Sequence, residues 1–423
     1  MYKQILDQLE QLLQQEITDF GEDFGRNEEA VWKTILSLGH AALQRIVGRQ
    51  RNGYHGSHVR CACGGRMKFV EHRSRDIHSL LGWIELTRAY YHCAQCGASC
   101  APYDRRSGLG SQQLSPALAK ACCMLAVDDS FEQTSRKIEN LFGQQVCDDT
   151  IEQVVHQVGG RISAQQEDEL KRFFEDKKVP QAQVEPPACL YIAADGTTAH
   201  EKDGWHEAKT GCIYWYDDDF NRQNRYLAGF CDSQQFGWML WMEACKCGLC
   251  EAKAVVYLGD GAGWVRSEYE RHFSRATFII DWYHASEHVW GCGKVLFGEG
   301  TGTSEDWVKE RLSLLWDGWT KRLLDDLGEE GKRYRGRKRQ AVEDLRRYIS
   351  VNEEQMRYDV FRAKGYEIGS GPVEGACKHV VGDRLKRSGM IWSRAGSSSV
   401  LALRVAWLNR QWEQVWSQKP LVA

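Results

Sequence analysis

Apolar positions along the chain follow two periods, one typical of helices and the other of strands. Helical spacing, with apolar residues three and four apart, occurs in four segments: 3–48, 114–160, 282–363 and the stretch after Gly371. Gly143 interrupts the second segment and predicts a helix, a short turn and another helix, over Phe131–Phe142 and Asp148–Val158. The last segment is expected to close the chain with one amphipathic helix, Val400–Trp416.

Five short apolar runs in the middle of the chain have the length and the flanking turn residues of strands: Cys189–Ala194, Gly211–Tyr216, Tyr226–Phe230, Ala254–Leu258 and Ala276–Ile280. The first three follow one another closely, as antiparallel strands do. The other two each follow a helix-length segment, which is typical of parallel pairing through a crossover helix. The pattern predicts an α/β chain with a mixed sheet.

Composition narrows the class of protein. Hydrophobic residues make up 42% and charged residues 27% of the 423 positions, as in folded globular chains, and this length predicts several domains. No stretch approaches the roughly 18 apolar residues of a membrane-spanning helix, and charge in every turn of the first 20 residues does not fit a signal peptide. We therefore expect a cytoplasmic protein without a membrane partner.

The net charge of −3 gives no overall signature of nucleic-acid binding, so any contact with DNA must come from local patches. The densest patch is the run Lys332–Arg339, and a second consists of Arg384, Lys386, Arg387 and Arg394. Such a run by itself is more often a solvated face than a binding site.

Two groups of cysteines bracket the strand-like piece Trp83–Tyr91. Without a signal peptide, cysteines are better interpreted as thiols and metal ligands than as disulfides. A short cysteine-containing turn, or knuckle, on each side of a hairpin is the pattern of a zinc ribbon. In a zinc ribbon, Zn²⁺ stabilises a hairpin that is too small to have its own core. The predicted ligands of this structural zinc are Cys61, Cys63, Cys93 and Cys96. Only one residue separates the first two, so His58 and Cys100 remain alternatives for one ligand.

Two of the strand-like runs end in an Asp-Gly pair, at Asp195-Gly196 and at Asp260-Gly261. Each pair alone is more often a turn. Together they place two carboxylates at the C-terminal ends of strands, where a parallel or mixed sheet presents its polar site and glycine permits close approach.

Phosphoryl transfer on DNA uses two divalent cations held by carboxylates, which requires a further acid. Glu374 fills this position at the predicted start of a helix, after the breaker Gly369-Ser370-Gly371-Pro372. Glu367 and Asp383 are the rivals, and an acid in a first helical turn also favours the helix dipole without any catalytic role.

Four motifs resemble bacterial insertion-sequence transposases of the DDE type, in particular the ISKra-type group. They are ADGT at 194–197, LGDGA at 258–262, DWYHASEHVW at 281–290 and, most specifically, IGSGPVEGACKH at 368–379. The resemblance extends from the cysteine segment to the last helix. It implies an RNase H-like mixed-sheet core interrupted by an all-helical insertion.

Six segments follow from the patterns and the resemblance together. They are N-terminal helices, a zinc-ribbon-like segment, a helix-turn-helix-like segment, the first part of the core, the helical insertion and the second part of the core: 1–52, 53–110, 111–180, 181–284, 285–365 and 366–423. The helix-turn-helix-like segment is expected to bind the terminal repeats of the element, and a helical pair that merely packs on the core is the alternative.

The resemblance also implies roles for individual residues. Asp195, Asp260 and Glu374 are expected to bind two Mg²⁺ or Mn²⁺ ions. Asp281 and His284 resemble an Asp-x-x-His element that supports the site in related transposases, although spacing alone equally predicts that His284 and His288 are packed neighbours on one helix face. The residues expected to contact phosphates beside the scissile bond follow Glu374 in the chain: Lys378, Arg384, Lys386 and Arg387.

The expected function is metal-dependent cleavage of double-stranded DNA at the terminal inverted repeats and transfer of the freed 3′-hydroxyl into target DNA. Pairing of two DNA ends implies a homo-oligomer. Two alternatives are a catalytically inactive or domesticated relative that only binds DNA, and an RNase H-like nuclease that acts on structured nucleic acid.

Overall fold

The computed structural model describes Gln11 and residues 23–50, 52–109 and 112–417. The first predicted N-terminal helix, over apolar positions Ile5–Leu13, lies outside the described residues apart from Gln11. Contacts divide the chain into two units, Met1–Val155 with Glu413–Ala423, and His156–Trp412. Within the described part, no helix combines the length and the apolar character required to cross a membrane.

The first unit contains a sheet of four antiparallel strands in the order β1-β2-β3-β4. The strands are β1 (His58–Arg60), β2 (Arg66–Ser79), β3 (Gly82–His92) and β4 (Ser99–Cys100). The helices are α1 (Phe24–Arg49), α2 (Pro102–Ser107), α3 (Pro116–Ala126) and α4 (Phe131–Phe142). A small core lies where the four strands meet and comprises Cys61, Met67, Ala89, Tyr91 and Cys93.

The predicted helix break at Gly143 is confirmed. Helix α4 ends there because Gly143 adopts the left-handed conformation that closes a helix without strain, at φ 66°. The next helix, α5 (Asp148–Asp176), continues well beyond Val158. Its buried face includes Ile151, Val154 and Val155.

The second unit contains a mixed sheet of five strands in the order β7-β6-β5-β8-β9. They are β5 (Cys189–Glu201), β6 (Gly204–Tyr216), β7 (Arg222–Gly229), β8 (Ala254–Gly259) and β9 (Thr277–Ile280). The first three pair antiparallel, and β8 and β9 add in parallel beside β5. The predicted mixed sheet is therefore confirmed.

Helices lie on both faces of this sheet. Helix α6 (Ser233–Lys246) covers the face of Gly211, where a Cβ atom would lie 2.7 Å from Leu240 Cδ1. Helix α7 (Gly263–His272) follows β8. The opposite face carries Asp195, whose neighbour Cys377 belongs to a later helical segment.

Residues between β9 and the C-terminal segment are helical throughout their regular elements. They form α8 (Trp282–Phe297), α9 (Gly302–Trp316), α10 (Thr320–Gly331), α11 (Gly336–Val351), a 3₁₀ turn (Glu353–Met356) and α12 (Tyr358–Ala363). The chain returns to the sheet at Ile368, whose carbonyl accepts the Trp282 N–H at 2.9 Å. Tyr358 reinforces this closure by donating its hydroxyl to the Ile280 carbonyl at 3.0 Å.

The C-terminal part begins with α13 (Gly371–Ala376), which continues as a π-helical turn (Cys377–Gly382) and α14 (Asp383–Leu385). The expectation of one closing helix is wrong. Helix α15 (Arg394–Leu408) and helix α16 (Trp412–Ser417) are separate, because Arg410 has a positive φ of 58° that breaks the helix. Helix α15 packs closely on α5, since a Cβ at Gly159 would lie 2.2 Å from the Ser399 carbonyl oxygen.

Candidate active site

Asp195 lies within β5 rather than at its end, which corrects the expectation from the sequence. Antiparallel pairing with β6 carries β5 on to Glu201, and Asp195 lies opposite Thr210. Parallel pairing with β8, however, ends at Ala193 and Leu258. The carboxylate therefore projects just beyond the end of the parallel part of the sheet.

Asp260 directly follows β8, as predicted. Its Oδ1 accepts the Ala262 N–H at 2.8 Å, which holds the carboxylate in a turn. Gly261 makes this turn possible with φ +81°, a conformation that side chains with a Cβ rarely adopt. Asp195 and Asp260 thus lie at the same edge of neighbouring parallel strands.

Glu374 lies in the first turn of α13, as predicted. The residue as a whole is exposed, its carboxyl group is partly buried, and Ser370 Oγ donates to Glu374 Oε1 at 3.4 Å. Three residues later in the same helical segment, Cys377 Sγ lies 3.5 Å from Asp195 Oδ2. This contact brings the helical segment of Glu374 against the strand of Asp195.

The three acids influence one another electrostatically. Burial raises the pKa of Asp195, and the negative charge of Asp260 raises it further. Burial also raises the pKa of Glu374, with smaller contributions from the charges of Asp281 and Asp195. Across the described residues, the three carboxylates do not form a group in which all ligand oxygens lie within 4.8 Å of one another. The arrangement is a converging set of acids rather than a closed cage for one ion.

The two rival acids have other partners. Glu367 accepts hydroxyl hydrogen bonds from Tyr214 at 2.9 Å and from Tyr216 at 2.5 Å, which occupy both of its oxygens. Asp383 Oδ2 lies 2.9 Å from His379 Nδ1. Among the described residues, the hydrogen bond to the Glu374 carboxylate is the long one from Ser370. Its lone pairs are the most available of the three candidates.

Asp281 connects the two parts of the chain that form the site. Its side chain is buried, and Oδ1 accepts the His284 N–H at 2.6 Å, which caps helix α8. Its Oδ2 accepts the N–H of Ser370, the residue before α13. Its own N–H donates to the Gly259 carbonyl at 2.9 Å. Asp281 therefore links the end of β8, the start of α8 and the start of the Glu374 helix.

His284 and His288 are neighbours on α8, with ring centroids 5.1 Å apart, as their spacing predicts. His284 is partly exposed, and its Nδ1 lies 3.7 Å from Glu287 Oε2. The charge of His284 acts on Asp195 and lowers the pKa of that carboxyl, against the larger effect of burial. His284 therefore lies within electrostatic range of Asp195.

The basic residues after Glu374 differ in accessibility. Lys386 is exposed and donates to Thr197 Oγ1 at 2.8 Å, two residues along β5 from Asp195. Lys378 and Arg387 are also exposed. Arg384, in contrast, is fully buried and lies over the Trp392 ring at 4.8 Å. Its guanidinium packs in the interior and does not reach solvent, so the expected phosphate contact does not fit its position.

The four predicted cysteine ligands converge in the first unit. Their sulfur atoms all lie within 4.8 Å of one another, with 3.5 Å between Cys61 and Cys96 and 3.8 Å between Cys63 and Cys93. Hydrogen bonds from backbone N–H groups, that of Cys96 foremost, lower the pKa of the Cys93 thiol to about 7. The alternatives have other neighbours, since Cys100 contacts Met67 Sδ and His58 contacts Ser57 Oγ.

Sequence reasoning missed a second group of possible ligands at the β5–β6 turn, formed by Glu201, Asp203 and His206. The buried Glu201 carboxylate is already paired with the guanidinium of Arg394, whose Nε lies 3.0 Å from Oε2. Ser397 donates to the other oxygen, Oε1, at 2.6 Å. We interpret this group as structural. Cys377 was missed as well, and its spacing of three residues from Glu374 is the signal that places it on the same helical segment.

Comparison with known proteins gives the family. A model described as "Uncharacterised protein family (UPF0236)" matches residues 22–419. The chain belongs to the UPF0236 family. A relative from Streptococcus gallolyticus, described as "UPF0236 protein in vanSb 3'region", is 25% identical over 360 residues, which cover 80% of this chain and 74% of the relative.

We expect the Asp281→Ala variant of this UPF0236 protein to lose about 2–4 kcal/mol of unfolding free energy, because it removes a helix cap and leaves the Ser370 N–H unpaired. Thr301→Ala removes the cap of α9 and a shared hydroxyl bond to the Phe297 and Gly298 carbonyls, but leaves no long-range partner unpaired, and should cost about 1 kcal/mol. Urea denaturation monitored by tryptophan fluorescence measures both. Equal losses would contradict the linking role of Asp281.

Asp195→Asn should stabilise the protein at neutral pH when divalent cations are absent. The folded state raises the pKa of Asp195 above its ordinary value of 3.8, so ionisation of this carboxyl costs stability. The cost is absent below pH 3.8, develops as the pH rises through the raised pKa, and persists above it. Denaturation midpoints measured across this pH range with EDTA present should diverge in favour of the variant as the pH rises.

Asp217→Asn is the control of opposite sign. Hydrogen bonds, led by that from the Asn221 N–H, lower the pKa of Asp217, so its ionised form contributes stability above the ordinary value of 3.8 that is lost as the pH falls. This variant should be less stable than the wild type at neutral pH. A pH-independent effect of Asp195→Asn would contradict the electrostatic account.

Proposed function

We propose that this protein is a DNA transposase of the DDE type, related to the ISKra-type group, with an RNase H-like catalytic core. The main support is the position of two carboxylates, Asp195 and Asp260, at the neighbouring parallel strands β5 and β8. When the five strands of this sheet are numbered from β5 in chain order, they lie side by side in the order 3-2-1-4-5. The third acid, Glu374, follows a segment of the chain whose regular elements, α8 to α12, are all helical. The order of the three acids along the chain and their electrostatic effects on one another support the proposal.

The carboxylates suit divalent cations because each retains unshared oxygen lone pairs. Asp260 uses one oxygen for the Ala262 N–H, Asp195 accepts the Gly196 N–H at Oδ1 and the Cys377 thiol at Oδ2, and Glu374 receives one long bond, so each carboxylate oxygen keeps at least one lone pair. Mutual repulsion of the acids is relieved when a cation binds. Mg²⁺ or Mn²⁺ held by these residues would supply Lewis acidity that activates the attacking oxygen and stabilises the leaving oxygen.

The reaction proceeds in two displacements at phosphorus. Water attacks the phosphodiester at the end of the element, a P–O bond forms, and the bond to the 3′ oxygen breaks to leave a 3′-hydroxyl and a 5′-phosphate. That 3′-hydroxyl then attacks a phosphodiester of target DNA, and the leaving oxygen takes up a proton as the target's own 3′-hydroxyl. Both displacements use the same three acids, and pairing of two ends requires a homo-oligomer on DNA.

Other residues hold the substrate and the acids in place. Lys386 lies beside β5 and, together with exposed Lys378 and Arg387, offers positive charge to the phosphates flanking the scissile bond. Asp281 fixes the start of α13 through the Ser370 N–H and so fixes Glu374 relative to the strands. Asp281 is a positioning residue in this account.

We also propose a zinc ribbon with Zn²⁺ bound by Cys61, Cys63, Cys93 and Cys96. A tetrahedral site with Zn–S bonds of ≈ 2.3 Å has sulfur–sulfur edges of about 3.8 Å. The separations of 3.5 and 3.8 Å agree with these edges. The metal would stabilise the end of the sheet where two of its ligands, Cys61 and Cys93, belong to a small buried cluster.

Replacing any one of the three acids by its amide should abolish DNA cleavage and strand transfer, with both rates falling by at least about a thousandfold. Each carboxylate neutralises part of the charge of the bound cations, and an amide cannot. The assay incubates the protein with Mg²⁺ or Mn²⁺ and with DNA that carries the ends of the element, taken from the genomic sequence that flanks the gene. Cleaved and joined products are then measured. Binding of the same DNA, measured by fluorescence anisotropy, should stay within about twofold because the overall fold and the basic residues remain.

Glu367→Gln is the matched control for Glu374→Gln. Glu367 lies seven residues earlier on the same connecting segment, but the hydroxyls of Tyr214 and Tyr216 occupy its oxygens. This variant should retain cleavage and lose stability instead. Normal cleavage by Glu374→Gln would overturn the assignment, and activity that persists in EDTA would overturn the metal-dependent mechanism.

The purified protein should contain one Zn²⁺ per chain. Cys93→Ser should lower the zinc content to near zero and lower the thermal midpoint of the first unit, because the remaining three thiols hold the ion less tightly. Cys100→Ser is the control, since Cys100 lies outside the cluster and should keep full zinc content. Inductively coupled plasma mass spectrometry measures the metal, and equal zinc in both variants would contradict the ligand assignment.

A further inference from the structure

A cleft of about 780 Å³ opens beside Asp260 in the second unit. Gly261, the residue after Asp260, lies at one end, and α8 and α11 supply much of the wall through His288, Cys292, Leu345 and Tyr348. Its volume is within the range of sites that enclose a small organic group. The acids of the proposed reaction lie outside the cleft lining, so the cleft has no assigned role.

We propose that this cleft binds one unstacked nucleobase of the DNA strand, next to the phosphate that is cleaved. The inference rests on the proposed function, since it assigns a substrate subsite to the same catalytic centre. A base inside a duplex is not accessible to such a cleft, so the nucleotide must leave the stack to enter it.

The principal observation is an aromatic platform inside the cleft. The imidazole of His288 stacks on the ring of Tyr348, with centroids 3.8 Å apart and 23° between the planes. His288 is exposed at the cleft surface, whereas Tyr348 is half-buried beneath it. Stacking on an aromatic face is sequence-tolerant because every base has such a face.

Charge in the cleft favours a base over a phosphate. Glu287 and Asp344 line it together with Arg266 and Arg347, so the formal charges balance and the cleft offers no excess of positive charge to a phosphate anion. The Arg347 guanidinium is already paired with Asp344 at 2.5 Å. Burial, foremost, lowers the pKa of His288, which favours the neutral form of the ring on the platform. An uncharged planar group is the best match for these walls.

Hydrogen-bonding groups at one edge are held in fixed orientations. Arg266 donates to Asn352 Oδ1, and its guanidinium lies over the Phe278 ring at 5.5 Å. Asn352 also donates to the Tyr348 carbonyl at 2.8 Å. Arg266 and Asn352 line the cleft together, so a base on the platform meets polar groups that are already oriented.

The chain joins the cleft directly to one of the acids. Asp260 acts electrostatically on both His288 and Tyr348, and Gly261 joins the acid directly to the cleft lining. Successive phosphates along one strand are a single nucleotide step apart. With the scissile phosphate bound at Asp260, we expect the base that reaches the platform to belong to a nucleotide that flanks this phosphate.

The test combines a platform variant with DNA that lacks single bases. On intact DNA, His288→Ala should cleave about tenfold more slowly than the wild type, the loss expected for one stacking contact. His288→Phe keeps an aromatic face and should cleave within about twofold of the wild type. Trp290→Ala is the matched control, because this exposed tryptophan lies on the same helix outside the cleft lining.

Abasic substitution is then scanned over the nucleotides on each side of the scissile phosphate. At one flanking position the wild type and His288→Ala should cleave equally fast, because the base that uses the platform is missing. If the difference between them persists at every position, or if His288→Ala cleaves intact DNA normally, the inference is wrong while the proposed function stands. If the wild type does not cleave its end DNA with either metal ion, the proposed function fails and the inference fails with it.

Discussion

The second unit depends on the buried carboxylate of Asp281, which holds together the two ends of a long helical segment. Asp281 and Ser370 are 89 residues apart in sequence, yet a hydrogen bond joins the Asp281 carboxylate to the Ser370 N–H. Helices α8 to α12 leave the sheet and return to it within this interval. The Trp282 N–H to Ile368 carbonyl bond and the Tyr358 hydroxyl to Ile280 carbonyl bond complete the closure. Together with the bonds from Tyr214 and Tyr216 to Glu367, this closure holds the start of α13 beside the sheet.

This closure explains how the acids converge although their mutual repulsion opposes it. Burial and neighbouring negative charge raise the pKa of Asp195 and of Glu374, so the folded state carries an electrostatic cost at neutral pH. The buried sheet and the helices on its two faces supply the stability that offsets this cost. A site with such stored repulsion is suited to bind cations, which is the chemistry we propose for it.

Regular elements and local motifs were predictable, whereas long-range partners were not. The five strands follow from apolar runs and turn residues, and the four-cysteine cluster follows from two knuckles around a hairpin. The position of Asp195 inside β5 was missed because the residues after it are polar and do not signal a strand that β6 extends by pairing. The burial of Arg384 over Trp392 was missed because a basic residue in a basic cluster resembles a surface patch. The bond from Ser370 to Asp281 has no local signal at all.

The central claim is that Asp195, Asp260 and Glu374 act together as ligands of divalent cations on DNA. The most direct measurement is a titration with Mn²⁺ of the protein bound to its end DNA, with free Mn²⁺ counted by electron paramagnetic resonance. The account predicts two tightly bound ions per chain, and the loss of at least one of them when Asp195 is replaced by Asn. An unchanged number of bound Mn²⁺ ions in the Asp195→Asn protein, measured on the same DNA, would contradict it.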